Sequence, residues 1–229
     1  MPSKQPRISV NKLAEYMDAS ASRRRAIVKA QIAPPGEMIV ARYRDVHHAL
    51  EEYFAEPSDS FFHERALELR NTKGGTKWSL QDKNLSADAL LACADIIELI
   101  DTNDVKIVPT PKSSDTHPMM LAGVRVSVRP EFLILDSAGM VCGGLKFSFN
   151  KQQPLSEEGC EFVATLVRAY LVEQYGVGVE HKRCLSISTP TKQVVFAPKA
   201  SKARMTALQA ACEEIAIRWK SLEIDLTKS

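Results

Sequence analysis

The stretch Val128–Lys151, VRPEFLILDSAGMVCGGLKFSFNK, places an acid directly after a proline and a lysine inside an apolar strand pattern. Two strands joined by the turn Ser137-Ala138-Gly139 would bring Glu131 and Lys146 to one spot. Their neighbours are so apolar that both charges are expected to be partly sheltered, where a charge needs a partner or a metal. Phosphodiester hydrolysis uses this combination: carboxylates hold a divalent cation, and a lysine positions the nucleophile or offsets charge on the phosphate. A third candidate is His47. In the run from Ile39 to Phe54 the residues Tyr43, Val46, Leu50, Tyr53 and Phe54 follow helical spacing, which puts His47 on the apolar face and His48 on the polar flank. Each residue also has a plainer reading, Glu131 and Lys146 as a cross-strand ion pair at a sheet rim and His47 as a satisfied core histidine.

The surrounding pattern supplies the elements that would hold these groups. Ser9 can cap a short helix carrying Leu13, Tyr16 and Met17, and Ser20 or Ser22 can start another bearing Arg23, Arg24 and Arg25, which Pro34, Pro35 and Gly36 would end. Ser60 is the expected cap of FFHERALELR, the loop NTKGGTKW closes that helix, and Ser86 is expected to open ADALLACADIIELI. Thr102 to Pro118, rich in Pro, Thr, Ser and Asp, reads as a loop or insertion with one brief strand, VKIV. Beyond it the period becomes two. In GVRVSVRP the valines share one side, and FLIL continues the strand. In VCGGLKFSF, Leu145, Phe147 and Phe149 lie on one face and Gly144, Lys146 and Ser148 on the other. A helix capped by Ser156 and stopped by Gly176, strands VEHKRCLSIS and QVVFA, and a helix from Ser201 through Leu208, Cys212, Ile215, Trp219 and Leu222 complete the chain. The fold class this predicts is α/β (α+β), a mixed central sheet flanked by helices. It is organised as one domain, 1–229, with a mainly helical part over 1–101, the loop or insertion over 102–118 and the sheet core over 119–229.

With 229 residues, 45% hydrophobic, the chain can bury a sizeable core. Its net charge of +2, from 30 basic and 28 acidic residues, excludes a polybasic binder, so nucleic-acid contact must come from local patches. Arg23, Arg24 and Arg25 with Lys182 and Arg183, extended by Arg42, Arg44, Lys199, Lys202 and Arg204, would make such a track, or else an ordinary solvated surface. No apolar run approaches the roughly 20 residues needed to span a bilayer, so a cytoplasmic protein without membrane contact is expected. The five cysteines have no close pair, which argues against a disulfide framework or a metal cluster and for small buried hydrophobes. Trp78 beside Gly74 and Gly75 is either a stacking platform or a cover for the core. KGGT lacks the spacing of a nucleotide-binding loop.

Together these residues resemble the PD-(D/E)XK nuclease superfamily, above all its RecB-type exonuclease branch. Pro130-Glu131 stands where that family has Pro-Asp, and Gly144-Leu145-Lys146 where it has acid-x-Lys. ISVNKLAEYMDASASRRR is similar to its N-terminal signature, and VHHALEEYF to its histidine helix. The resemblance implies a restriction-endonuclease-like core, magnesium or manganese held by Glu131 and His47, and Lys146 and Glu131 as catalytic residues. DNA, with the single-stranded form as one option, is the implied substrate. One departure weighs on this: Gly144 occupies the place of the second acid. Glu161, Glu157, Glu158 or Glu64 would have to supply a migrated carboxylate. The four cysteines of the iron-sulfur relatives are absent, so no iron-sulfur cluster is expected. Two functions follow: a metal-dependent nuclease, or a catalytically inactive relative that holds nucleic acid or a protein partner in a defence or mobile-element system.

Overall fold

The computed structural model describes residues 5–33, 43–111, 118–176 and 178–227. In chain order the first elements are β1 (Arg7–Ser9), α1 (Val10–Asp18), α2 (Ala21–Ile32), α3 (Arg44–Ala55), α4 (Phe61–Arg70), α5 (Lys77–Ile97) and β2 (Lys106–Pro109). Then come β3 (Met119–Leu121), β4 (Val124–Ser127), β5 (Phe132–Leu135), β6 (Val141–Ser148), α6 (Glu157–Tyr175), β7 (Cys184–Ser188), β8 (Gln193–Phe196) and α7 (Lys202–Thr227). The expected class, a mixed α/β architecture with helices flanking a central sheet, is what forms.

The described residues form two sheets. The central one has the order β2-β5-β6-β7-β8, and the smaller one β1-β4-β3. β2, β5 and β6 are antiparallel neighbours, α6 then crosses over to lay β7 parallel to β6, and β8 returns antiparallel. Apolar residues cover both faces of the central sheet. Leu133 and Cys184 face the cluster built with α1, α2, α6 and α7, whereas Phe132, Ile134, Leu145, Phe147, Leu185 and Ile187 face α3, α4 and α5. The alternation read for β6 is therefore the observed one. It gives Lys146 the α6 side and Phe147 the α3 side.

Several boundaries follow directly from local chemistry. The Ser9 hydroxyl accepts the Lys12 N–H and the Ser156 hydroxyl the Gly159 N–H, while Gly176 ends α6 at φ 90°. Along α7, Leu208, Cys212, Ile215, Trp219 and Leu222 are all buried. All five cysteines are buried and unpaired, and burial pushes the thiols of Cys93, Cys184 and Cys212 up to about 12.

Other boundaries differ from the sequence reading. GVRVS and FLIL are not one strand: β4 pairs with β1 and β3, β5 pairs with β2 and β6, and Pro130, which lacks an N–H for a ladder, sits at the corner. Ser86 does not open a helix. α5 starts nine residues earlier, with the Thr76 hydroxyl accepting the Ser79 N–H, and Ser86 is buried inside it. The brief strand VKIV expected within 102–118 does form, as β2, and it is an edge strand of the central sheet whose Ile107 is buried in the α3–α5 core; 112–117 lie outside the described residues. Ser60 precedes α4, but its hydroxyl goes to the Glu64 carboxylate instead of a backbone N–H. VEHKRCLSIS divides into a single 3-10 turn, His181–Arg183, and β7. The expected stop at Pro34-Pro35-Gly36, like Ile39 and Arg42, lies outside the described residues.

The 3-10 turn presses its backbone onto β6. A Cβ added at Gly143 would lie 2.1 Å from the Arg183 carbonyl oxygen, so only glycine fits there. Gly143→Ala is expected to lower stability by about 3 kcal/mol, read as a drop in the urea midpoint. An unchanged midpoint would show that this approach is not tight in solution.

Candidate active-site cleft

Where β6 outruns β5 the sheet leaves two backbone groups to be satisfied, and two side chains do it. Glu131 Oε2 accepts the Phe147 N–H at 2.9 Å, and Lys146 Nζ donates to the Arg129 carbonyl at 2.9 Å. The same two side chains join each other, Lys146 Nζ to Glu131 Oε1, at 2.7 Å. Both are largely withdrawn from solvent, with side chains 14% and 19% exposed for Lys146 and Glu131. The convergence read from the hairpin is thus a direct ion pair.

Glu131 lines a cleft of about 400 Å³ together with His47, Asn11, Lys12, Glu15 and the end of β6. His47 is brought there by α3, on the face that carries Val46 and Leu50 into the core, and its ring meets the Phe149 ring edge-on at 5.3 Å. Burial pulls its pKa below the usual 6.5; the Glu131 carboxylate opposes that pull and the Lys146 ammonium adds to it. At neutral pH the imidazole is uncharged and free to offer a lone pair.

The fourth group is one that pattern reading passed over. Glu15 on α1 is buried, yet it lines the same cleft, paired with Lys12 and with Arg23, whose Nε lies 3.2 Å from Glu15 Oε1. Two anchors hold α1 over the sheet end. The Asn11 amide donates to the Phe147 carbonyl at 2.8 Å, and the Ser156 hydroxyl donates to Asp18 at 2.7 Å. The Asn11 carbonyl oxygen is buried without a partner, a spare acceptor among the lining atoms.

None of the carboxylates considered as migrated ligands lines this cleft. Glu161 receives Arg204 Nε at 2.8 Å, Glu64 is engaged by Ser60, and Glu157 and Glu158 are exposed in the first turn of α6. The basic residues also divide. Arg23 belongs to the cleft through Glu15. Arg24 donates to the Tyr16 and Met17 carbonyls and pairs with Glu214 at 3.1 Å, tying α2 to α7. Arg25 is exposed on α2. Lys182 and Arg183 sit in the 3-10 turn beside Gly143, about 13 Å of strand from Phe147, with Arg183 Nε 3.4 Å from Glu180. Trp78 lies in the first turn of α5 and is 38% exposed. Among the described residues, no cluster of three or more His, Cys, Asp or Glu side chains lies close enough together to enclose a metal ion.

Gly144 faces the α6 side beneath Lys146, in a space with no room for an acid. A Cβ there would lie 3.0 Å from the Phe132 carbonyl oxygen, 3.1 Å from Leu171 Cδ1 and 3.2 Å from Pro130 Cγ. No protein-family model matches the chain, and neither curated proteins nor solved structures give a match.

Two outcomes follow from this geometry. Gly144→Asp, which would write the missing acid back into the motif, is expected to lower stability by about 2 kcal/mol in urea titration without creating a cation site, because the carboxylate must displace packed atoms. For His47, the unfolded chain binds a proton at higher pH than the folded one. The stability that a neutral His47 contributes is whole above pH 6.5 and is lost as pH falls through the folded value. His47→Gln should therefore show a smaller fall in melting temperature between about pH 7 and about pH 5 than the parent protein. Equal falls would place the imidazole in solvent.

Proposed function

We propose that this chain is a divalent-metal-dependent nuclease acting on DNA, with one or two of the cleft residues Glu131, Glu15 and His47 as cation ligands and Lys146 steadying negative charge on the scissile phosphate. One observation carries the reading: an acid and a histidine singled out by type and pattern line one cleft, and the lysine singled out with them is paired to that acid. The order antiparallel hairpin, helix, parallel strand around them agrees with the superfamily that the sequence resembles.

The two carboxylates, Glu131 and Glu15, are oxygen donors of the kind a hard cation takes, whereas the uncharged imidazole of His47 is a donor better suited to a transition metal. Magnesium characteristically relies on one or two carboxylates plus substrate phosphate instead of a complete protein cage, so the lack of a ready-made three-ligand cluster among the described residues is compatible with it. When bound, such an ion would activate water and neutralise phosphate charge. The protein's own groups do the rest. Lys146, held by Glu131 and the Arg129 carbonyl, presents a fixed ammonium at the sheet end. Lys12 and Arg23 add positive charge where a phosphate backbone would lie, and the uncharged imidazole of His47 completes the wall.

Gly144 and the fully paired carboxylates favour a second reading, a non-cleaving relative that uses the same cleft to hold nucleic acid. One experiment separates the two. Single- and double-stranded DNA are incubated with magnesium or manganese and the parent protein, Lys146→Ala, Lys146→Met or Glu131→Gln, each variant first checked for parental melting. Metal-dependent cleavage reduced about 100-fold or more by the Lys146 and Glu131 changes is expected. No Lys146-dependent cleavage with either metal would leave the binding reading in its place.

A further inference from the structure

The small sheet carries a second polar cleft, unrelated to the motifs above. β1 and β4 run parallel with Arg7 registered on Arg125 and Ser9 on Ser127. Alternation sends Ile8, Val124 and Val126 into the core and leaves Arg7, Ser9, Arg125 and Ser127 on the outer, exposed face. Two guanidinium side chains therefore rise from adjacent strands roughly 4.8 Å apart, an arrangement that like-charge repulsion disfavours. A third, Arg129, stands at the end of β4 with Nη2 donating to the Thr110 carbonyl at 3.0 Å and to the Pro111 carbonyl. That anchoring fixes its plane beside the other two.

All three arginines, both serines, Gln31 and the buried Tyr170 line one cleft of about 400 Å³, and no acid among the described residues lines it. No described carboxylate lies within ion-pair distance of Arg7, Arg125 or Arg129. Elsewhere on this surface arginines are usually paired: Arg23, Arg24, Arg65, Arg70, Arg183, Arg204 and Arg218 each have an acid. Three neighbouring guanidinium groups with hydroxyls between them and no counter-charge among the described residues make a receptor for a tetrahedral oxyanion. Their planar forks match phosphate oxygens in pairs, and an arriving dianion turns the repulsion between Arg7 and Arg125 into attraction.

We propose that Arg7, Arg125 and Arg129, with Ser9 and Ser127, form a phosphate-binding site on the outer face of the small sheet. The site stands whether or not the acid-lysine cleft cleaves, but its position relates the two. Arg129 lies two residues before Glu131, at most about 7 Å along the chain, and its carbonyl is the one Lys146 holds. Ser9 caps α1, whose Asn11, Lys12 and Glu15 line the other cleft. A strand whose phosphate rests on the arginines would therefore have its neighbouring nucleotides beside Lys146.

Arg7 and Arg125 are exposed, so Arg7→Ala/Arg125→Ala should fold normally, and Arg70→Ala on α4 is the control for loss of an exposed arginine. Three probes distinguish the sources of phosphate: inorganic phosphate, a 5′-phosphorylated single-stranded oligonucleotide, and the same oligonucleotide without the phosphate. For the parent protein the expected result is oligonucleotide binding by fluorescence anisotropy that the double variant weakens about 10-fold or more. The slope of log affinity against log salt should fall by about 1.4, the share of two phosphate contacts on a single strand. Phosphate should also raise the melting temperature of the parent and the control but not of the double variant, a shift that a purely structural role would not produce. Preference for the phosphorylated oligonucleotide assigns the site to a strand end, equal affinity for both assigns it to the backbone, and full competition by millimolar inorganic phosphate alone assigns it to a free anion. Binding and melting shifts identical in the parent and the double variant, or absent from the parent, would overturn the proposal.

Discussion

The ion pair between Glu131 and Lys146 settles how this chain turns from one sheet into another. Pro130 supplies no N–H and diverts the strand, so β6 runs on beyond its partner with unsatisfied backbone groups at a sheltered position. The Glu131 carboxylate takes the Phe147 N–H, the Lys146 ammonium takes the Arg129 carbonyl, and the two close on each other. A partly buried pair is by itself weak support for stability, because desolvation offsets most of the attraction. Here each member also satisfies a backbone group, so apolar replacements of equal volume would leave an N–H and a carbonyl stranded. The pair is structural whatever chemistry it also performs, and it holds Lys146 at one place and in one direction.

Much of that arrangement was legible in the sequence, and the illegible part has a common cause. The alternation of Leu145, Phe147 and Phe149 against Gly144, Lys146 and Ser148 is a local signal, as are the caps at Ser9 and Ser156 and the α7 stripe ending in Trp219 and Leu222. These depend on neighbours within a turn or a strand. Glu15 could not be found that way. It sits on a nine-residue helix between Lys12 and Asp18, a pattern that reads as solvated surface until Asn11 and Asp18 dock the helix across the end of β6. The β1–β4 pairing joins segments more than a hundred residues apart and leaves no periodic trace in a three-residue strand. Pro130 was visible as a residue but not as a junction, because a bend within one sheet and a passage between two have the same local signature.

The cleft and the arginine face differ in how their charges are balanced. In the cleft three cations, Lys12, Arg23 and Lys146, meet two carboxylates, Glu15 and Glu131, beside a neutral imidazole. Each acid is already compensated, so an entering divalent cation competes with an ammonium or guanidinium for the same oxygens. A phosphate competes for the cations instead. On the face of the small sheet there is no such exchange among the described residues, since none of them is an acid paired with the arginines there.

This difference orders the proposed chemistry. A phosphate strand drawn first to the arginines gains attraction without breaking any internal pair. As it reached Lys12, Arg23 and Lys146 it would take over part of their charge, and the oxygens of Glu15 and Glu131 would then be free to hold a cation. Coupling of this kind is reciprocal: if nucleic acid raises the affinity for the cation, the cation raises the affinity for nucleic acid by the same factor. In the proposed reading, a site built from paired charges would therefore remain closed and stable alone, with Gly144 leaving no carboxylate at that strand position, and would take up an ion only together with a phosphate strand.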